Sequence, residues 1–256
     1  MAKRLIFLFL VWTCTGALFA AHAAEIQIAV ASNFSVPMAK INELFRNETG
    51  HVLIVSYGAS TKLATQIKNG APFVVFLSAD QQEVRELIKA DLAVVGTEFT
   101  YAVGKLALWS PKPGLALADG ELLKRGDFKR LAIANSKLAP YGKAAREVME
   151  NLGVWQKYTA RLITGENITQ THQFVASGNV DLGFVARSQI ATQIKKSEGS
   201  VWLVPQSLYS PLKQDAVLLK KAKEKGGANA EIFLKFLKSQ KIRDIIREFG
   251  YDLPND

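Results

Sequence analysis

Residues 26–40 read Ile-Gln-Ile-Ala-Val-Ala-Ser-Asn-Phe-Ser-Val-Pro-Met-Ala-Lys. The apolar segment 26–31 predicts a buried strand, and 34–48 has the periodicity of an amphipathic helix. The turn between them is Ala31-Ser32-Asn33. Because a helix begins with unpaired N–H groups and a partial positive charge, a small polar turn at this point can hold an anion. We expect the Ser and Asn side chains to add donors, although such residues before a helix are most often only N-caps.

The order of strand, small polar turn and helix recurs along the chain and predicts an α/β fold with largely parallel sheets. The segment 99–110 is a long predicted strand with Gly104 in its middle, and such a strand can cross between two lobes or contain a bulge. A long helical region, 229–249, closes the pattern. The other predicted strands are 52–57, 73–77, 131–134, 162–164, 180–185, 201–204 and 215–219, and the other helices are 61–68, 81–89, 142–152, 168–176 and 188–195.

Four of the turns carry the same kind of residues, and two come from each half of the chain. They contain Ser32-Asn33, Ala59-Ser60, Tyr141 and Asn167-Ile168, with no Lys or Arg among them. The carboxyl ends of parallel strands share one edge of a sheet, where ligands collect. If the two halves face each other, the turns can converge on one small anion that is held by neutral donors.

The N-terminus predicts secretion. Lys3 and Arg4 precede an apolar run, which ends at the small-residue pattern Ala21-His22-Ala23. This is the pattern of a signal peptide, residues 1–23, that is cleaved to give a periplasmic protein. A retained membrane anchor is the alternative, but the run is short compared with the about 20 residues of a spanning helix. The only cysteine, Cys14, lies inside this run without the small residues before it that a lipoprotein would need.

The formal net charge is +9, of which Lys3 and Arg4 supply two positive charges. Basic residues are scattered over predicted helix faces, for example in 235–247, instead of forming one patch. This distribution indicates a solvated surface. Together with secretion, it argues against a nucleic-acid partner.

Catalytic patterns are weak. A triad of Ser60, His172 and Asp80 can be written, but no Gly-x-Ser-x-Gly elbow surrounds the serine, so a secreted serine hydrolase is the less favoured alternative. There is no Walker loop, no dinucleotide-binding glycine pattern and no zinc-type His/carboxylate spacing. We therefore expect no enzyme, no cofactor and no metal site formed by the protein.

The candidate turns also restrict the ligand. Phosphate is protonated near neutral pH and needs an acceptor, but Ser32, Asn33, Ser60 and Tyr141 supply no carboxylate. Glu166 is the one acidic residue nearby, and it can equally point outward. The composition favours fully ionised tetrahedral oxyanions such as sulfate, molybdate or tungstate, and it does not choose among them.

An ordered set of motifs resembles the periplasmic molybdate-binding proteins of ABC transporters over the whole predicted mature chain. The motifs are Ala31-Ser32-Asn33-Phe34, Gly58-Ala59-Ser60, Gly70-Ala71-Pro72, Phe76-Leu77-Ser78-Ala79-Asp80, Ala139-Pro140-Tyr141-Gly142, Gly165-Glu166-Asn167-Ile168 and Leu182-Gly183-Phe184-Val185.

The resemblance implies the two-lobed fold of periplasmic binding proteins, with crossing strands as the hinge. The lobes are expected at 24–104 with 213–256, and at 105–212. The resemblance further implies a monomer that closes on molybdate or tungstate and delivers it to a membrane permease. The implied ligand contacts are Ser32, Asn33, Ser60, Tyr141 and Ile168, the last through its backbone N–H; Asp80 is expected to cap a helix.

The chain departs from the family at two points. Many members carry a tyrosine donor where this chain has Ala186, but a subgroup instead uses Asn after the first Ser or Thr together with the Pro-Tyr-Gly tyrosine, and this sequence fits the subgroup. Phe73-Val74-Val75 replaces a frequent Asp after Gly-Ala-Pro.

The main alternative is a binding protein for another ligand, such as sulfate, thiosulfate or iron; a receptor or sensor module is a further one.

Overall fold

The computed structural model describes residues 24–224 and 227–254. The predicted signal peptide, 1–23, lies outside the described residues.

The described residues form two five-stranded sheets. The first has the order β2-β1-β3-β10-β4, and the second β7-β6-β8-β5-β9. In each sheet one strand runs against the other four, namely β10 in the first and β5 in the second. The predicted α/β fold with mostly parallel sheets is therefore confirmed. The strands are β1 Glu25–Ala31, β2 Val52–Gly58, β3 Val75–Leu77, β4 Phe99–Gly104, β5 Leu106–Ser110, β6 Leu131–Ala134, β7 Leu162–Gly165, β8 Leu182–Ala186, β9 Ser200–Leu203 and β10 Leu212–Leu218.

Helices follow most strands. They are α1 Ser35–Thr49, α2 Ser60–Lys68, α3 Gln82–Lys89, α4 Glu121–Arg125, α5 Pro140–Asn151, α6 Trp155–Tyr158, α7 Ile168–Ala176, α8 Ala191–Lys196, α9 Gly227–Leu237 and α10 Gln240–Glu248. The predicted long helical region 229–249 consists of two helices, α9 and α10. Ser239 has extended backbone angles (φ −66°, ψ 150°), which separate α9 from α10. Both helices bury apolar residues in the same core cluster as the strands of the first sheet.

The segment 99–110, predicted as a long strand that either crosses between lobes or contains a bulge, crosses between the two sheets. It divides at Lys105 into β4 of the first sheet and β5 of the second. The chain returns with β10, whose first residue, Leu212, pairs with Gly104. An isolated bridge between Val103 and Asp252 adds the C-terminal segment to this junction.

Each sheet has its own apolar packing. In the first, one side of α1 and of the turn before it is fully buried against strand residues and α9. The residues on this side are Phe34, Met38, Ile41 and Phe45. In the second, α5 packs the face of Ala145, Val148 and Met149 onto β6 and β8. Among the described residues, no helix combines the length and the apolar character that crossing a membrane requires.

Phe45→Ala is expected to lower the free energy of unfolding by about 3–5 kcal/mol, because it leaves a cavity beside two other rings. The Phe45 ring lies 5.4 Å from that of Phe233 and 5.3 Å from that of Phe236. Val36→Ala is the control on the same helix: Val36 is 46% exposed, and we expect a change within about 0.5 kcal/mol. Urea unfolding measures both, and equal effects would contradict this description of the core.

Candidate functional site

The structure brings all five predicted site residues to one small cavity. The cavity volume is ≈ 10 Å³, far less than the roughly 300–1,000 Å³ of pockets for drug-sized ligands. Its lining carries no charged side chain and consists of Ala31, Ser32, Asn33, Gly58, Ser60, Ala79, Ala139, Pro140, Tyr141 and Ile168. A compact ligand suits such a cavity better than a sugar or a peptide does.

Helix N-termini place four of these residues at the cavity. Ser60 is the first residue of α2, Ile168 the first of α7, and Tyr141 follows Pro140 at the start of α5. Ser32 opens a short 3₁₀ turn that leads into α1. The glycine of Pro-Tyr-Gly has a steric role, because a Cβ at Gly142 would overlap the carbonyl oxygen of Ala134. The start of α5 can therefore lie directly against the end of β6.

Local caps use some first-turn N–H groups and leave others free. The Asn167 side chain accepts from Thr169 N and Gln170 N at 3.0 Å each. The first N–H of a helix has no intrahelical acceptor, so the Ile168 N–H is left for a ligand. In α5, Gly142 and Lys143 both donate to the Ala139 carbonyl. The N–H of Tyr141, like that of Ile168, therefore has no intrahelical acceptor.

Two hydroxyl groups at the cavity accept hydrogen bonds from the protein and so keep their own hydrogen. Ser60 Oγ accepts from Ala79 N at 2.9 Å. Tyr141 Oη accepts from Gln214 Nε2 at 3.1 Å. A hydroxyl has a single hydrogen to donate. At Ser60 that hydrogen remains for another acceptor, whereas the Tyr141 hydroxyl is also in hydrogen-bond contact with Tyr251. Burial raises the pKa of Tyr141 well above its ordinary value, so the hydroxyl stays protonated.

Asn33 differs from its predicted role. Its Nδ2 donates to Gln214 Oε1 at 2.8 Å and to Tyr251 Oη at 3.0 Å. Both amide hydrogens are then used, while Oδ1 is buried without a partner among the described contacts. The expectation that its side chain adds a donor to the cavity is not met by this arrangement. The backbone N–H is the donor that Asn33 can offer.

Sequence reasoning missed a buried polar network behind the cavity. Gln214 is fully buried on β10, and its Oε1 also accepts from Tyr101 Oη at 3.0 Å. Tyr251 Oη lies 2.8 Å from the Asn33 carbonyl oxygen and 2.9 Å from Ser188 Oγ. Burial raises the pKa of Tyr101 and of Tyr251, so both remain neutral. The sequence offered little sign of this role, because Gln214 lies between the charged residues Lys213 and Asp215 and just outside the predicted strand 215–219.

The elements that follow the two sheets touch around the cavity. Thr169 Oγ1 donates to the Ser32 carbonyl at 3.0 Å, and Ser188 Oγ lies 3.1 Å from the Asn33 carbonyl. Thr61 N also donates to the Leu138 carbonyl at 3.3 Å. These bonds join first-sheet residues to second-sheet residues without passing through a ligand.

Three residues that the sequence raised stand outside the lining. Glu166 pairs with Lys62 at 3.1 Å, and both side chains are more than half exposed. Asp80 accepts from Glu83 N at 3.0 Å in the first turn of α3, as expected of a helix cap. Ala186 is buried at the end of β8, and its N–H donates to Gln189 Oε1.

The described contacts do not bring Ser60, His172 and Asp80 together as a catalytic triad. The His172 ring stacks on Trp109 with centroids 5.1 Å apart, and burial lowers its pKa. Asp80 bonds to Ser78 and Glu83, and Ser60 bonds to Ala79. In residues 24–224 and 227–254, no group of three or more His, Cys, Asp or Glu residues could hold a metal ion.

Comparison with known proteins identifies the family. A family model described as bacterial extracellular solute-binding protein matches residues 26–252. The chain belongs to this family. Membership indicates a protein that binds a solute outside the cytoplasm.

Two curated relatives and one solved structure show which members of the family this chain resembles. The molybdate-binding protein ModA of Azotobacter vinelandii is 48% identical over 91% of this chain and 92% of its own. ModA of Rhodobacter capsulatus is 48% identical over 90% and 89%. The solved Azotobacter vinelandii periplasmic molybdate-binding protein superposes with a TM-score of 0.86 at 40% identity, covering 90% of this chain and all of that one. The resemblance read from the motifs is confirmed.

Proposed function

We propose that this solute-binding protein captures molybdate, and also tungstate, and delivers it to an ABC permease in the membrane. The observation that carries the proposal is the small cavity, whose lining offers several convergent hydrogen-bond donors and no charged side chain. The 48% identity to two molybdate-binding proteins supports the choice of oxyanion.

The donor set explains how a dianion could be held without a salt bridge. Candidate donors are the hydroxyl groups of Ser32 and Ser60 and the backbone N–H groups of Asn33, Tyr141 and Ile168. Hydrogen bonds to a charged group contribute roughly 1.5–3 kcal/mol each. About six of them would offset the costs of desolvation and association and leave micromolar to nanomolar affinity.

The absence of a carboxylate from the lining supports selection against phosphate. Near neutral pH, phosphate carries a proton that needs an acceptor, whereas molybdate, tungstate and sulfate are fully ionised. Sulfate or thiosulfate is therefore the alternative ligand, and size has to separate it from the larger metal oxyanions.

The wider biology follows from the same proposal. The two sheets with their helices would act as lobes, 24–104 with 213–256 and 105–212, that close on the ligand because both contact it. The protein would work as a periplasmic monomer after removal of residues 1–23, with no catalytic activity, resident cofactor or nucleic-acid partner.

Calorimetric titration of the purified protein with molybdate, tungstate, sulfate and phosphate tests the ligand assignment. We expect tight binding of the first two only, because the cavity offers many donors and no acceptor for a protonated anion. Sulfate binding of equal strength would overturn the assignment of molybdate but leave an oxyanion site. Failure of all four anions to bind would overturn the proposed function.

Ser60→Ala tests the site. Loss of one charge-assisted donor is expected to weaken molybdate binding by about 10- to 100-fold. The matched control, Ser177→Ala, removes an exposed hydroxyl at the end of α7 and should leave affinity unchanged. Thermal unfolding verifies that both variants fold. A Ser60→Ala protein with the affinity of the unsubstituted chain would remove Ser60 from the site.

A further inference from the structure

Lys62 and Glu166 form an ion pair that joins the two sides of the cavity. Lys62 Nζ lies 3.1 Å from Glu166 Oε2. Lys62 is in the first turn of α2, which follows β2 of the first sheet, and Glu166 is in the turn between β7 of the second sheet and α7. Each lies two residues from a lining residue, Lys62 after Ser60 and Glu166 before Ile168. The pair therefore connects elements that hold the cavity from opposite sides.

The backbone that carries each charge is held by hydrogen bonds of its own. On the lysine side, Thr61 N donates to the Leu138 carbonyl at 3.3 Å, which is a second contact between the two sides. On the other side, Glu166 N donates to Gln170 Oε1 at 2.7 Å. Because these bonds restrict the backbone, formation of the ion pair costs mainly side-chain entropy.

Local preferences explain neither charge. Lys62 is in the first turn of a helix, where the macrodipole disfavours a cation. Glu166 lines a groove of ≈ 330 Å³ beside the cavity, and Ser32 lines both. An unpaired carboxylate at this place would repel an anion on its way to the cavity. Each charge is offset only by its partner on the opposite side.

We propose that the Lys62–Glu166 ion pair is a clasp that stabilises the closed arrangement of the two sides and thereby raises the affinity for the oxyanion. The inference rests on the proposed oxyanion-binding function. Neither side chain lines the cavity, so the pair acts on the equilibrium between open and closed forms. A protein that binds its ligand in the closed form has an apparent affinity proportional to the closed fraction.

Charge reversal in a double-mutant cycle is the central test. Lys62→Glu and Glu166→Lys each replace the attraction by a repulsion, and the double variant restores the attraction with the charges exchanged. Each charge also acts directly on the anion, with opposite signs in the two single variants, but this contribution is additive and cancels in the cycle. By calorimetric titration, we expect the double variant to bind molybdate about tenfold more tightly than the two single effects added together predict. Purely additive effects would overturn the proposal.

The ion pair between Lys89 and Glu86 is the matched control. Its charged atoms are 2.9 Å apart, and both residues belong to α3, on one side of the cavity. Their separation does not depend on closure, so the cycle of Lys89→Glu and Glu86→Lys should be additive in molybdate affinity to within about twofold. A coupling as large as that between Lys62 and Glu166 would contradict a clasp.

Ionic strength supplies a second readout. The Debye length falls from about 30 Å at about 0.01 M to about 3 Å at about 1 M, and both side chains of the clasp are more than half exposed. We expect the coupling between Lys62→Glu and Glu166→Lys to fall below about threefold at the higher ionic strength. A coupling that does not change with salt would overturn the proposal, because an exposed ion pair would not be its source.

Ligand-free proteins give a readout that does not depend on the identity of the ligand. Spin labels on Gln66→Cys and Ser177→Cys, two exposed positions on α2 and at the end of α7, report the distance between the two sides. We expect fewer molecules at the short distance in each single reversal than in the unsubstituted and doubly reversed proteins. Equal distance distributions in all four would overturn the proposal, whereas a lack of oxyanion binding by the unsubstituted protein would overturn only the proposed function.

Discussion

The free N–H groups at the ends of helices are the constraint on which the site depends. Three helices, α2, α5 and α7, begin at one cavity with residues Ser60, Pro140 and Ile168. Such ends carry partial positive charge and donors with no intrahelical partner. Because the lining contains no acidic or basic side chain, an anion of small size is the ligand that satisfies these donors without creating an unpaired buried charge.

The same junction serves the fold and the site. Strands β4 and β10 of the first sheet adjoin the two crossings to the second sheet, and they carry Gly104 and Gln214. The glycine leaves room for the Tyr141 hydroxyl, and the glutamine bonds to it. A movement of one sheet relative to the other would therefore change the surroundings of Tyr141 and Asn33 together. The bonds from Thr169 and Ser188 to the carbonyl groups of Ser32 and Asn33 act at the same place.

The sequence was informative where short-range patterns decide the structure. Polar turns before amphipathic helices predicted the positions of Ser32, Ser60, Tyr141 and Ile168, because strand ends share an edge. It was uninformative where partners are distant in the chain: Gln214 and Asn33 are 181 residues apart, so the bond between their side chains could not be predicted. The break at Ser239 was also missed, although serine is a preferred N-cap residue and Ser239 stands at the N-cap of α10.

The central claim is that the oxyanion lies where the helix ends converge. Anomalous diffraction from crystals grown with tungstate would locate the metal atom directly. The account predicts one peak in the cavity, with oxygen atoms about 2.7–3.2 Å from Ser60 Oγ, Tyr141 N and Ile168 N. A peak in the open groove lined by Arg85, Lys143 and Lys213, with the cavity empty, would contradict it.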